Sequence, residues 1–257
     1  MSEEKLTYLL QQRADKKSLR KLYVNDSLVD FCSNDYLGFA KIPSHNQASS
    51  GSTGSRLISG NTNLHQEVEN QIAKFHQSEA ALLYNSGYDA NLGFFSCVPQ
   101  KEDTVIYDSF CHASIRDGIR LGTARNFSFQ HNNLEDLKSK LKNANGNIFV
   151  VVESIYSMDG DQAPLQEISK ICSLHKANLI VDEAHAGGVF GENGEGLAQN
   201  IPTFARIYTY GKAFGCHGAA VTGSNILKEY LINFSRPLIY STALSPHSVE
   251  CIQEAYA

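Results

Sequence analysis

From residue 79 onward the chain alternates between two hydrophobic rhythms. Short, nearly continuous apolar runs predict strands: EAALLY (79–84), TVIYD (104–108), NFSF (126–129), NIFVVVES (147–154), ANLIVDEA (177–184), ARIYTYG (205–211) and AAVTGS (219–224). Between most of them lie stretches such as LEDLKSKL and PLQEISKICSLHK, whose apolar residues recur at helical spacing. Strands apolar on both faces and separated by helices predict an α/β fold, a mostly parallel sheet covered on both sides. Ahead of it, 61–77 reads as a helix with Leu64, Val68, Ile72 and Phe75 on one face and Thr62 or Asn63 as its cap. Residues 3–22 carry a helical leucine pattern (Leu6, Leu9, Leu10, Leu19, Leu22), LVDF at 28–31 is strand-like, and a further helix opens at Pro246.

Composition narrows the function classes. With 257 residues, 42% hydrophobic and 19% charged, the chain can bury a large core as one domain or two unequal ones. A net charge of −5 and the lack of a basic cluster argue against a nucleic-acid or membrane-surface role. The six cysteines, at 32, 97, 111, 172, 216 and 251, show neither a C-x-x-C pair nor metal-ligand spacing to histidine, and read as reduced packing residues. Acids and bases interleave at the N-terminus, unlike a secretory signal, and no apolar run approaches the roughly 20 residues that span a bilayer. A cytoplasmic protein is expected.

In a parallel sheet, ligands bind beyond the carboxyl ends of the strands, so polar residues at those ends carry the functional signal. Asp108, Glu153, Asp182 and Lys212 all follow apolar runs. A carboxylate directly after a buried strand is costly unless a cation or donor meets it; a helix N-cap is the plain alternative for Asp182. His185 follows three residues on, and Lys212 about 30 residues later, between Gly211 and Gly215. Upstream, N-S-G-Y (85–88) between a strand and a helix is a phosphate-sized site, although alone it marks only a turn. Amine, carboxylate and anion site together fit pyridoxal 5′-phosphate, which needs an amine for its aldehyde, a carboxylate for its ring nitrogen and donors for its phosphate.

The stretches FCSNDYLGFA (31–40), GSTGSRLISGNTNLHQEVE (51–69), YNSGYDAN (84–91), DSFCHASIRDG (108–118), ESIYSMDGDQAPL (153–165), VDEAHAGGVFG (181–191), TYGKAFG (209–215) and IYSTAL (239–244) occur in the order of the α-oxoamine synthases, which the sequence resembles over nearly its whole length. The resemblance implies the large domain of a fold-type I pyridoxal phosphate-dependent transferase, an acyltransferase. By that likeness Lys212 holds the cofactor, Asp182 pairs with its ring nitrogen, His185 bonds its phenolic oxygen and His112 stacks on its ring. His112 alone would otherwise read as an ordinary core or surface histidine. Gly87, Tyr88 and Thr209 would hold the phosphate, joined by Ser241 and Thr242 of a neighbouring subunit in a homodimer with shared sites. Glu153 and Ser157 would support the ring, and Asn34 would face the substrate. Lys212, His112, Asp182 and His185 are the expected catalytic set.

YSTALSP and TYGKAFGCHGAAV point to the branch that condenses L-alanine with a pimeloyl thioester, on coenzyme A or a carrier protein, with loss of CO2, to make 8-amino-7-oxononanoate for biotin. The runner-up joins glycine to acetyl-CoA, followed by the aminolevulinate- and sphingoid-forming branches. Three features depart from the family pattern: only 11 residues, AKIPSHNQASS, separate Phe39 from Gly51; Ala186-Gly187 stands where Gly-Thr is common; and no residue matches the carboxylate-gripping arginine of the family's small C-terminal domain. The expected layout is therefore an N-terminal segment (1–40), a cofactor-binding large domain (41–240) and the start of a connection (241–257), the small domain being absent. Such a chain is expected to bind the cofactor better than it turns over substrate. A non-catalytic cofactor-binding fragment is the rival from outside the enzyme class. A Rossmann-type dehydrogenase is set aside, since no G-x-G-x-x-G follows an early strand.

Overall fold

The computed structural model describes residues 3–20, 29, 33–41 and 49–257. The chain divides into two compact units, Met1–Ser33 and Asn34–Ala257. In the first, α1 (Glu3–Asp15) is shorter than the periodicity over 3–22 predicts. The helix stops because Lys17 takes a left-handed conformation (φ 53°) and Ser18 turns back onto the Arg13 carbonyl. Leu6 and Leu10 are exposed on it. Of the strand-like LVDF only Val29 lies within the described residues, and it is 78% exposed. Residues 42–48 of the short AKIPSHNQASS segment also lie outside them.

In the second unit, α2 (Asn63–Phe75) begins at Thr62, whose hydroxyl accepts the His65 N–H, and buries Val68 and Ile72. Seven strands follow among the described residues: β1 (Ala80–Tyr84), β2 (Thr104–Asp108), β3 (Arg125–Phe129), β4 (Ile148–Glu153), β5 (Asn178–Asp182), β6 (Ala205–Thr209) and β7 (Ala219–Gly223). Between and after them come α3 (Gly87–Cys97), α4 (Ala113–Leu121), α5 (Leu134–Leu141), α6 (Leu165–His175), α7 (Asn225–Phe234), α8 (Arg236–Tyr240) and α9 (Pro246–Ala255). One sheet in the order β1-β7-β6-β5-β4-β2-β3 contains all seven. The pairs from β6 through β3 are parallel, and only β7 runs against its neighbours β1 and β6. Six strands therefore end at the same edge.

Side chains alternate across each strand, so the apolar runs fill both faces. On one face Val151, Ile180, Ile207 and Val221 meet Phe94, Phe95 and Ile115 from α3 and α4. On the other, Val150, Val152, Leu179 and Val181 pack against Leu137 and Ile168 from α5 and α6, and Leu83, Tyr208 and Ala220 against Ile72 and Ile252 from α2 and α9. Burial on both faces explains why these strands read as continuous apolar runs instead of alternating ones. β3, at the edge, is the exception, with only Phe129 buried. Cys111 and Cys172 are buried as packing residues, while Cys97, Cys216 and Cys251 are half-buried. No described helix is long and apolar enough to cross a membrane.

Candidate active site

The shared edge of β1, β4, β5 and β6 is where the strand-terminal polar residues converge. A cavity of about 110 Å3 there is lined by Gly87, Tyr88, Asn91, His112, Ser114, Glu153, Asp182, Ala184, Thr209 and Lys212. A larger cavity of about 290 Å3 lies beside Arg56, Glu69 and Lys228. Its buried carboxylate is already satisfied by both cations and by the Leu83 N–H, so we place the chemistry at the smaller one. The opposite faces of that cavity are built from different elements, and the chain order explains each.

Register sets the acidic side. Glu153 and Asp182 lie opposite each other on the adjacent parallel strands β4 and β5, so their carboxyl groups share one face. Burial, and then the neighbouring Asp182, push the Glu153 carboxyl up to about 8. Its Oε1 accepts the His112 N–H at 2.5 Å. Asp182 is 4% exposed; its Oδ1 accepts the Ala184 N–H at 2.9 Å and its Oδ2 the Asn91 amide at 2.8 Å. Among the described residues, no cationic side chain pairs with it within ion-pair distance. A buried carboxylate held by two neutral donors beside a cavity is suited to a cation or N–H brought in by a ligand.

The basic side comes from the turn between β6 and β7. Tyr210 N–H bonds the Gly218 carbonyl, Cys216 N–H the Tyr210 carbonyl and Gly215 N–H the Lys212 carbonyl, each at 2.9 Å. Gly215 adopts φ 65°, and a Cβ there would lie 2.5 Å from the Ala40 nitrogen, so glycine is required twice over. Burial lowers the Lys212 pKa against the opposing pull of Asp182 and Glu153. Its Nζ bonds His185 Nε2 at 2.6 Å. Burial, and then Lys212, push His185 down to about 4, so its ring is neutral at pH 7. The loop carrying His185 is braced by Glu183, whose carboxyl accepts the Ser154 hydroxyl and the Leu197 and Ala198 N–H groups.

The third side is the start of α3. Ser86 caps it by accepting the Asp89 N–H, which leaves the Gly87 and Tyr88 N–H groups at the mouth of the cavity. A Cβ on Gly87 would lie 2.2 Å from Thr209 Oγ1; only glycine lets the helix mouth close on β6. His112 caps α4, and its Nδ1 accepts the Ser114 N–H (3.2 Å) and hydroxyl (2.7 Å). That leaves Nε2 as the free ring atom, and burial lowers the pKa of the ring.

Of the residues singled out in the sequence, Gly87, Tyr88, His112, Glu153, Asp182, Thr209 and Lys212 line this one cavity, and His185 touches it through Lys212. Asn34 is linked to it only through Tyr36, His185 and Lys212 in turn. Ser157 sits on an exposed turn. Ser241 and Thr242 border another depression, where the Asn85 amide bonds the Thr242 carbonyl at 2.8 Å. Asn91, Ser114 and Tyr36 were not legible beforehand. Asn91 lies inside a helix, and only the packing of α3 on α4 brings it to Asp182 and to Ser114 Oγ (3.1 Å). Its Oδ1 is buried without a hydrogen-bond partner.

These groups fit pyridoxal 5′-phosphate: a buried carboxylate that pairs with no described cation, a desolvated amine on the turn that follows the neighbouring strand and a helix mouth that a methyl group would block. Fold and site thus define a pyridoxal phosphate-dependent transferase of fold type I. The aminotransferase class I and II profile matches residues 26–255. The chain is 39% identical over 285 residues to the 8-amino-7-oxononanoate synthase of Emericella nidulans, with 98% of this chain and 69% of that protein aligned. With the enzyme of the same name from Lysinibacillus sphaericus it shares 40% identity, over 87% of this chain and 61% of the relative. Sphingomonas wittichii serine palmitoyltransferase superimposes with a TM-score of 0.87 at 30% identity, covering 98% of this chain and 71% of that one. The 8-amino-7-oxononanoate synthase of Francisella tularensis gives 0.75 at 33%, covering 90% and 68%. The chain belongs to the aminotransferase class I and II family, in its α-oxoamine synthase branch.

Proposed function

We propose that the protein condenses L-alanine with a pimeloyl thioester, releasing CO2 and yielding 8-amino-7-oxononanoate, with pyridoxal 5′-phosphate held on Lys212. The observation that carries this reading is that Asp182, at the end of β5, and Lys212, on the turn after the adjacent β6, line one cavity together with a helix N-terminus. Relatives at about 40% identity carry the name 8-amino-7-oxononanoate synthase, which supports the choice of product.

When bound, pyridoxal 5′-phosphate supplies an aldehyde carbon that captures an amine and a ring that draws electrons from the amino acid Cα. The protein's part is positional and protolytic. Gly87 and Tyr88 N–H groups, with the Thr209 hydroxyl, would cradle the phosphate at the positive end of α3. Asp182 would hold a proton on the ring nitrogen, and Asn91 keeps that carboxylate aimed. Burial makes the neutral amine of Lys212 more accessible than that of an exposed lysine, so once displaced it can take the alanine Cα proton. His112, with Nδ1 occupied by Ser114, would lay its imidazole against the cofactor, leaving Nε2–H to donate toward the thioester oxygen. Glu153 fixes His112 through its backbone N–H. Ser241 and Thr242 would serve the phosphate of a second subunit, consistent with their place away from this chain's own cavity.

Two measurements test the reading. The purified protein loaded with the cofactor should show a visible absorbance band that is missing from Lys212→Ala. Incubation with alanine or glycine and a panel of acyl thioesters should give 8-amino-7-oxononanoate from alanine and a pimeloyl thioester. A colourless wild type would overturn the cofactor assignment, and a product formed only from glycine and acetyl-CoA would move the chain to the neighbouring branch.

A further inference from the structure

We propose that Tyr36 is a positioning residue that dictates which ring nitrogen of His185 carries the proton. The inference rests on the reading above for the identity of the site, and on a continuous row of hydrogen bonds for its substance. Tyr36 Oη lies 3.0 Å from Asn34 Oδ1 and 2.7 Å from His185 Nδ1, and His185 Nε2 lies 2.6 Å from Lys212 Nζ. An amide oxygen can only accept, so the single phenolic hydrogen goes to Asn34. The phenolic oxygen is then left to accept from His185, which puts the imidazole proton on Nδ1.

The other end of the row demands the same answer. A lysine ammonium has three donors and no acceptor, so Nε2 must meet it as a bare lone pair. Asn34 and Lys212 thus agree on one tautomer from opposite directions. Because His185 is neutral, this choice of nitrogen, and not a charge, decides what the ring offers the lysine. With Nδ1–H the site shows Lys212 an acceptor; with Nε2–H it would turn a donor toward an ammonium. Tyr36 is 47% exposed and contributes little to the core, so its contact with His185 is best explained by the proton it controls.

The test uses the full chain in cofactor-free form, labelled with 15N-histidine, with the His185 signals assigned by comparison with His185→Gln. At neutral pH the wild type should carry its proton on Nδ1. In Tyr36→Phe, which keeps the ring and removes the acceptor while leaving the Lys212 contact, the Nδ1–H fraction should fall measurably below that of the wild type. Asn34→Ala, which leaves Tyr36 in place, should weaken the Nδ1–H preference without abolishing the Tyr36 contact. A wild-type His185 protonated on Nε2, or a Tyr36→Phe protein whose Nδ1–H fraction equals that of the wild type, would overturn the proposal. Failure of the site assignment has a separate signature, since the Lys212-dependent absorbance band would be missing while the tautomer result stood.

Discussion

At the scale of single residues, the site depends on one absent methyl group as much as on its reactive side chains. Gly87 begins α3 against Thr209, where any Cβ would sit 2.2 Å from the hydroxyl. Gly87→Ala must push the helix mouth off β6, a strain of about 1–3 kcal/mol. Because the distortion falls on the anion-binding N–H groups, a comparable loss should appear in cofactor affinity, roughly thirtyfold at mid-range; equilibrium dialysis against pyridoxal 5′-phosphate would measure it. Unchanged affinity would separate these N–H groups from the phosphate. Lys212 and Asp182 could be picked out of the sequence because each follows an unmistakable apolar strand. Asn91 and Ser114 could not. They sit in separate helices, α3 and α4, and their value lies only in the 2.8 and 3.1 Å contacts that packing creates.

At the scale of elements, apolar periodicity located all seven described strands to within a residue or two of their ends. It did so because both faces of the sheet are covered, which removes the ambiguity of half-buried strands. The helices α4, α7 and α8 were not singled out in the sequence; α4 sets Arg116, Asp117 and Arg120 against a short buried stripe of Ile115 and Ile119, and α8 is a single five-residue turn. The turn after β2, which leads to His112, is fastened by a histidine that sequence reading passed over. His131 lies between Asp108 (Nδ1 to Oδ1, 2.9 Å) and Asp161 (Nε2 to Oδ2, 2.7 Å), stacked on Phe110. Asp108 also accepts the Phe110 and Asn132 N–H groups. Burial opposes a charge on His131, yet the hydrogen bonds to the two aspartates outweigh it and raise the pKa. A raised folded-state pKa contributes stability that is complete below the unfolded value of about 6.5 and disappears as pH climbs through the folded one. The melting temperature should accordingly fall between pH 6 and 8.5, and His131→Gln should flatten that slope. An equal slope in both proteins would show that the clasp does not depend on the imidazolium.

At the scale of the whole molecule, six strands that stop at one edge gather residues from positions 87 to 212 around a cavity of about 110 Å3. The position of β7 makes this compact. By running opposite to β1 and β6 it brings the chain back to the site edge at Ala219, opposite both Tyr84 and Thr209. Nine residues must therefore leave β6 and return, with the amine on the third of them and cross-bonds from Tyr210 to Gly218 and from Cys216 to Tyr210 along the way. Such a reversal has no slack, since both ends are clamped in the sheet. Adding one glycine between Phe214 and Gly215 should leave a cooperatively melting protein that no longer retains the cofactor through dialysis; retention at the wild-type level would show that the turn is more forgiving. The lysine is thus indexed by distance along the chain as well as by chemistry.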